Sequence, residues 1–247
     1  NEAFLQIEEH FKALSTDSQI DGVLLTGFGV KAFVSGADVG FLAKIDSAKM
    51  GEETSAGSQA SVQAIEDCPK PVICAMNGLA FGGGNEIAMA CDVRIARAGL
   101  KVFVGQPEVN LGIIPGAGGT QRLPRWIGVE KAAELMRTGR PISSAEALSI
   151  GLISEEVAGD PRALRRRATE ILQAAISGEV PFRGIEMGPM ETPEELPQVD
   201  LGHLSTTVDG ILQQAIIEGC RLPLKDGIAL EARYFGQVCS TQDMRIG

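Results

Sequence analysis

The chain has 247 residues, long enough for one large domain or for one domain with a helical appendage. Its 32 acidic side chains against 22 basic ones give a net charge of −10, which argues against a nucleic-acid partner while leaving room for one anionic ligand held by a few local lysines. Hydrophobic content near the globular average argues against wholesale disorder, no apolar run approaches the roughly 18 residues of a membrane span, and no signal-peptide pattern opens the sequence.

In chain order, residues 2–14 set Phe4, Ile7, Phe11 and Leu14 three and four apart, which predicts an amphipathic helix. The Asp21-Gly22 break leads into Val23-Leu24-Leu25-Thr26, a short buried strand. The glycine-punctuated stretch 27–38 reads as a strand–loop connection in an α/β sheet, and its GxG lacks the strand–helix–acid sequel of a dinucleotide site. Residues 40–60 mix Lys44, Lys49, Glu52 and Glu53 with small polar residues and predict a mobile segment of the kind used as a lid. A helix around 57–67 stops before Pro69, and residues 71–76 read as a central strand. Asn77-Gly78 is a hairpin dipeptide, but the glycines and helix behind it favour a strand-to-helix turn.

After Asn85 comes a short helix, apolar nearly all round and so buried, and residues 93–96 and 102–104 predict two more strands. Gly116-Ala117-Gly118-Gly119-Thr120 opens the next helix without the Gly-Lys-Ser/Thr ending of a phosphate-binding loop. Residues 129–137, 144–150 and 162–176 are helical by pattern, with Ser143 and Glu146 forming a capping box and Arg165-Arg166-Arg167 a solvated basic face. The stretch 181–200, with Pro181, Pro189, Pro193 and Pro197, predicts an irregular connector. Two helices follow, striped by Val208, Ile211, Leu212, Ala215 and Ile216, then by Ile228, Ala229, Ala232, Phe235 and Val238. Those stripes either pack on the main domain or meet another subunit. The division this gives is a core over 1–180, a connector over 181–203 and a helical region over 204–247.

Cys68, Cys74, Cys91, Cys220 and Cys239 show no CxxC spacing, and His10 and His203 lie far apart, so neither a zinc site nor a Cys–His nucleophile is indicated. Free thiols suit a reducing compartment: the cytoplasm, or the mitochondrial matrix in a eukaryote.

Chemistry concentrates between Pro71 and Leu123. Gly82, Gly83 and Gly84 sit directly before an acidic helix start at Glu86, and a second carboxylate, Glu108, follows Gly105-Gln106-Pro107. A strand running through glycines into a helix leaves backbone N–H groups free to hold a negatively charged oxygen. With carboxylates nearby, that combination points to an oxyanion hole beside acid/base groups. Each element has a plainer reading alone: Glu86 as a macrodipole partner, Glu108 as a loop carboxylate, the glycines as close helix–strand packing.

Taken together, Ser35-Gly36-Ala37-Asp38, Ala80-Phe81-Gly82-Gly83-Gly84-Asn85-Glu86, Gly105-Gln106-Pro107-Glu108 and Ile114-Pro115-Gly116-Ala117-Gly118-Gly119-Thr120-Gln121-Arg122-Leu123 resemble the crotonase superfamily, specifically its enoyl-CoA hydratases. The resemblance covers most of residues 1–155, with the four motifs in the family's order. It implies an α/β fold built as a spiral of ββα units with a C-terminal helical oligomerisation region, assembled as a homo-oligomer, trimer or hexamer. It implies that the Ala37 and Gly83 amides hold the thioester oxygen. Glu108 would exchange a proton with the substrate α-carbon, and Glu86 would activate water. Ser35, Ala37, Asp38, Val39, Gly82, Gly83 and Gly116 would line the substrate site. Lys31, Lys44 and Lys225 are candidates for the phosphates of coenzyme A, which is part of the substrate; no separate cofactor and no metal is implied. The expected reaction is hydration of a 2-enoyl-CoA to a 3-hydroxyacyl-CoA. The alternatives are 3,2-enoyl-CoA isomerisation, another acyl-CoA reaction of the superfamily, or the hydratase portion of a multifunctional β-oxidation protein.

Overall fold

Among the described residues, seven strands alternate between two parallel sheets as the chain advances. The computed structural model describes residues 2–180 and 184–246. It opens with α1 (Glu2–Thr16), β1 (Val23–Thr26), β2 (Ala32–Val34), α2 (Val39–Leu42) and α3 (Ala48–Glu66). Then come β3 (Val72–Met76), β4 (Leu79–Phe81), α4 (Gly83–Met89), β5 (Val93–Arg97), β6 (Val104–Gly105) and a 3-10 turn (Glu108–Leu111). The next stretch is α5 (Gly119–Ile127), α6 (Val129–Thr138), α7 (Ser144–Ser149), β7 (Glu155–Val157) and α8 (Pro161–Ile176). The chain closes with α9 (Thr206–Cys220), α10 (Leu224–Cys239) and α11 (Asp243–Ile246). The larger sheet runs β1-β3-β5-β7 and the smaller β2-β4-β6, every pairing parallel. Each of the first three turns therefore lays one strand in each sheet, which is the expected ββα repeat.

β3 is the central strand predicted for it: all five residues are buried, as a strand covered on both faces must be. Asn77-Gly78 makes neither a hairpin nor a direct step into a helix. It hands the chain from β3 to β4 in the other sheet, and Asn77 Oδ1 accepts from the Gly27 amide at 3.0 Å across the matching β1–β2 link. β7, two glutamates and a valine at the sheet edge, has too little apolar pattern to stand out in the sequence.

The stretch 40–60, expected as a mobile lid, is helical apart from a turn over 43–47 between α2 and α3. Ser47 caps α3, its hydroxyl accepting from the Met50 amide at 3.3 Å, and the buried face carries Gly51, Ser55, Gln59, Val62 and Ile65. Small and polar residues fill that face because α10 lies close along it: a Cβ on Gly51 would come within 2.9 Å of Cys239. Polarity there marks close packing and buried hydrogen bonds.

Both C-terminal stripes, the exposed Ala229 excepted, are covered by this same chain. α9 packs on α5 and α6, α10 on α3 and α5, and Val208, Leu212, Ile216, Phe235 and Val238 join the core that holds β3. Pro181 lies outside the described residues. Residues 182 and 183 lie outside them too; from 184 to 203 the connector has no regular structure yet is tethered, the Met190 amide donating to the Cys220 carbonyl at 2.7 Å and Arg137 to the Pro197 carbonyl at 2.6 Å. Among the described residues no helix is long and apolar enough to cross a membrane.

Candidate active site

Three neighbouring parallel strands of the smaller sheet end side by side, and the motif residues follow each of them. Ser35 and Ala37 come after β2, Gly82 and Gly83 after β4, and Glu108 after β6. The C-terminal ends of parallel strands are where such sheets open a crevice. Two glycines make this corner possible. Gly82 takes φ +52°, a left-handed conformation that a side chain disfavours, and a Cβ there would also meet Glu108 Oε1 at 2.7 Å. A Cβ on Gly84 would overlap the Val34 carbonyl oxygen, so only glycine lets α4 start so close to β2.

The crevice is a cavity of about 320 Å³ lined by Ser35, Ala37, Val39, Gly82, Gly83, Glu86, Glu108 and Gly116, with Phe4, Leu5, Leu111, Ile113 and Phe235 among its apolar walls. All but one of the residues expected at the site are thus brought together. Asp38 is the exception: its carboxylate caps α2, accepting from the Gly40 amide at 2.7 Å and the Phe41 amide at 3.3 Å. Of the three lysines, Lys31 and Lys44 are exposed, Lys225 lies 3.5 Å from Asp67, and none lines the cavity. Among the described residues, neither the Ala37 nor the Gly83 amide donates to a turn, loop or side-chain acceptor.

Glu86 does not serve its own helix as a macrodipole partner. Its side chain reaches to the start of α5, where Oε1 accepts from the Ala117 amide at 2.8 Å and the Gly119 amide at 2.7 Å. Oε2 makes no hydrogen bond among the described residues and faces Gly83, 4.0 Å from where a Cβ would stand. Burial, then the charge of Glu231, push the Glu86 pKa up to about 8, while the two amides and Arg122 pull the other way. Glu108 is partly exposed as a residue, yet its Oε2 is sealed from solvent with no hydrogen-bond partner among the described residues. Burial first, and the neighbouring Glu86 charge second, lift its pKa well above the carboxylate range. Two carboxyl groups that both resist ionisation in one cleft can hold and exchange protons near neutrality, and they titrate as a pair.

The turn that receives Glu86 is tied at every residue. Ser55 Oγ donates to the Gly116 carbonyl at 2.6 Å, Arg122 Nη1 to the Ala117 carbonyl at 2.9 Å, and Glu231 on α10 accepts from the Gly118 and Thr120 amides. Sequence reasoning passed over Ser55, Gln59 and Glu231. For Glu231 a signal existed: it lies three residues after Ile228 and four before Phe235, a charge on the apolar stripe of its helix.

The family model described as Enoyl-CoA hydratase/isomerase matches residues 2–180. A crotonyl-CoA hydratase of Syntrophomonas wolfei is 35% identical over 247 residues, covering 100% of this chain and 83% of its own. A short-chain-enoyl-CoA hydratase of Clostridium acetobutylicum is 35% identical, covering 94% of this chain and 77% of its own. Among solved structures, an enoyl-CoA hydratase from Bacillus anthracis superposes with a TM-score of 0.63 at 32% identity, covering 97% of this chain and 81% of that one. The crotonase fold anticipated from the four motifs is the fold of these neighbours. By the extent of the family match and the near-complete coverage of its relatives, this chain belongs to the enoyl-CoA hydratase/isomerase family.

Proposed function

We propose that the cavity adds water across the double bond of a 2-enoyl-CoA thioester, giving the 3-hydroxyacyl-CoA. The observation that carries this reading is the pair Glu86 and Glu108, lining one cavity beside the Gly83 amide, each with its pKa raised. The ionised Glu86 takes a proton from water as the oxygen bonds to C3. The protonated Glu108 gives its proton to C2, and negative charge gathers on the thioester oxygen in between. The amides of Ala37 and Gly83 meet that charge without titrating, each worth on the order of 10²–10³ in rate. At the end of the cycle Glu86 carries the proton and Glu108 does not, so the pair resets by proton exchange. Coenzyme A enters and leaves as part of the substrate, and nothing in this sequence of transfers calls for a separate cofactor or metal.

Isomerisation between the 3- and 2-enoyl positions needs one group of the Glu108 kind; the second acid, Glu86, favours hydration. The test is the ultraviolet absorbance of crotonyl-CoA on mixing with the protein. Its loss, with 3-hydroxybutyryl-CoA as product, is the expected result. Standing absorbance with crotonyl-CoA, together with conversion of a 3-enoyl-CoA, would replace hydration by isomerisation.

Assembly as a trimer or hexamer belongs to this proposal on the family resemblance alone, since α9 and α10 bury their apolar stripes within the chain. Light scattering would read it as a mass of three or six chains. A cytoplasmic site of action, or the matrix in a eukaryote, is likewise proposed, on the five free cysteines.

A further inference from the structure

Glu231 is 0% exposed and bonded at every lone pair. Oε1 accepts from the Gly118 amide at 2.6 Å and from Gln59 Nε2 at 3.0 Å. Oε2 accepts from the Thr120 amide at 2.8 Å and the Thr120 hydroxyl at 2.6 Å. Burial raises the Glu231 pKa while the Thr120 and Gln59 side chains and the Gly118 and Thr120 amides pull it down, and four donors on two oxygens favour the ionised carboxylate. Successive amides of one turn are shared out alternately: Ala117 and Gly119 point at Glu86, Gly118 and Thr120 at Glu231. Gln59 also donates to the Ile228 carbonyl at 2.8 Å, which fixes α3 to α10 at the same point.

We propose that Glu231 is a positioning residue for the hydration step: it clamps the turn 117–120 so that alternate amides face Glu86, and it stands as a fixed negative charge behind that acid. The inference rests on the hydratase reading and adds a residue that does not line the cavity. Its consequence is electrostatic as well as geometric. The charged groups acting on Glu86 are Glu231 from α10, Glu108 from the turn after β6, and Arg122 from α5, the last paired with Glu66 at 3.1 Å. Burial and the Glu231 charge hold the proton on Glu86, so the base that finally ionises is a strong one. Without Glu231 that base ionises at lower pH and abstracts a proton less effectively. Cys220, the titratable neighbour of Glu231 on α9, is a thiol whose own pKa is lifted to about 11 by burial and so stays neutral.

The test compares Glu231→Gln with Glu231→Asp. Glutamine keeps the shape and deletes the charge; aspartate keeps the charge on a shorter arm. Expected for Glu231→Gln is an acid limb of kcat against pH moved down by about one unit, with the plateau about tenfold lower and KM little changed. Expected for Glu231→Asp is a similar fall in kcat with the acid limb left in place. Identical profiles for the two variants, or Glu231→Gln with the limb unmoved, would overturn the proposal. If Glu231→Gln does not fold, Glu231→Asp with unaltered kcat would do so alone. A readout without turnover is the Glu86 carboxyl ¹³C titration by NMR, assigned through Glu86→Gln. It should move down by about one unit in Glu231→Gln, and no movement overturns the clamp-and-charge role. A protein that leaves crotonyl-CoA untouched but shows this shift would sink the hydratase reading, and with it the role in hydration, while keeping the clamp of Glu231 on Glu86.

Discussion

Glu108 Oε2 is the atom at which structure and chemistry meet most closely. A buried oxygen without a partner costs on the order of 1–3 kcal/mol, and Glu108 bears that cost in the wall of the cavity. Glu86 bears a related cost that pH reveals. An unfolded carboxyl loses its proton near 4.5, whereas Glu86 in the fold holds it up to about 8. Between those values the folded state binds the extra proton, so stability present below about 4.5 is lost as pH rises through about 8. Thermal scans from about pH 5 to about pH 9 should show the wild-type midpoint falling more than that of Glu86→Gln, which has no charge to bury. Equal falls would mean Glu86 ionises like a surface acid. The carboxylates were legible in the sequence because a glycine triplet and a Gly-Gln-Pro-Glu run mark them. Glu231 left only a charge on an apolar stripe, since what defines it is a contact with amides more than 100 residues away, 113 in the case of Gly118.

At the scale of elements, the local signals worked where one face is apolar and failed where it is not. α1, α8, α9 and α10 follow from their three-and-four spacing, and Ser143 caps α7 through the Glu146 amide at 3.1 Å. Glu146 itself turns to Arg140, at 2.8 Å, and so completes only half of the capping box. α3 misled because its buried face is built from Gly51, Ser55 and Gln59, residues chosen by the approach of α10 and by polar partners that a sequence window does not contain. The junction of α4 with β2 offers the sharper test. Gly84→Ala would thrust a methyl into the Val34 carbonyl and drive β2, with Ser35 to Ala37 behind it, away from Gly83. A destabilisation of about 1–3 kcal/mol is expected, lowering the melting midpoint by about 2–4 °C for each kcal/mol, together with a loss of turnover larger than the loss of fold. Wild-type melting and activity in Gly84→Ala would show that the contact is not needed.

Across the whole molecule, two parallel sheets wound by one spiral bring the ends of β2, β4 and β6 to one edge; the main core extends from Phe4 through one face of β3 to Val238, and a smaller one packs α8 on the other face. The C-terminal helices belong to that core, and α10 lends the cavity Phe235 and the adjoining turn Glu231. The walls of the crevice are therefore drawn from along the chain, from Phe4 to Phe235. The most direct test of the proposed chemistry is turnover of crotonyl-CoA in deuterated water by wild type and by Glu108→Gln, with product deuterium read at C2. The wild type should install one deuterium at C2 and a hydroxyl at C3, and Glu108→Gln should be slower by about 10²–10⁴ while still binding the thioester. Glu108→Gln turning over at the wild-type rate with the same labelling would contradict the assignment of Glu108 as the proton donor and, with it, the two-acid account.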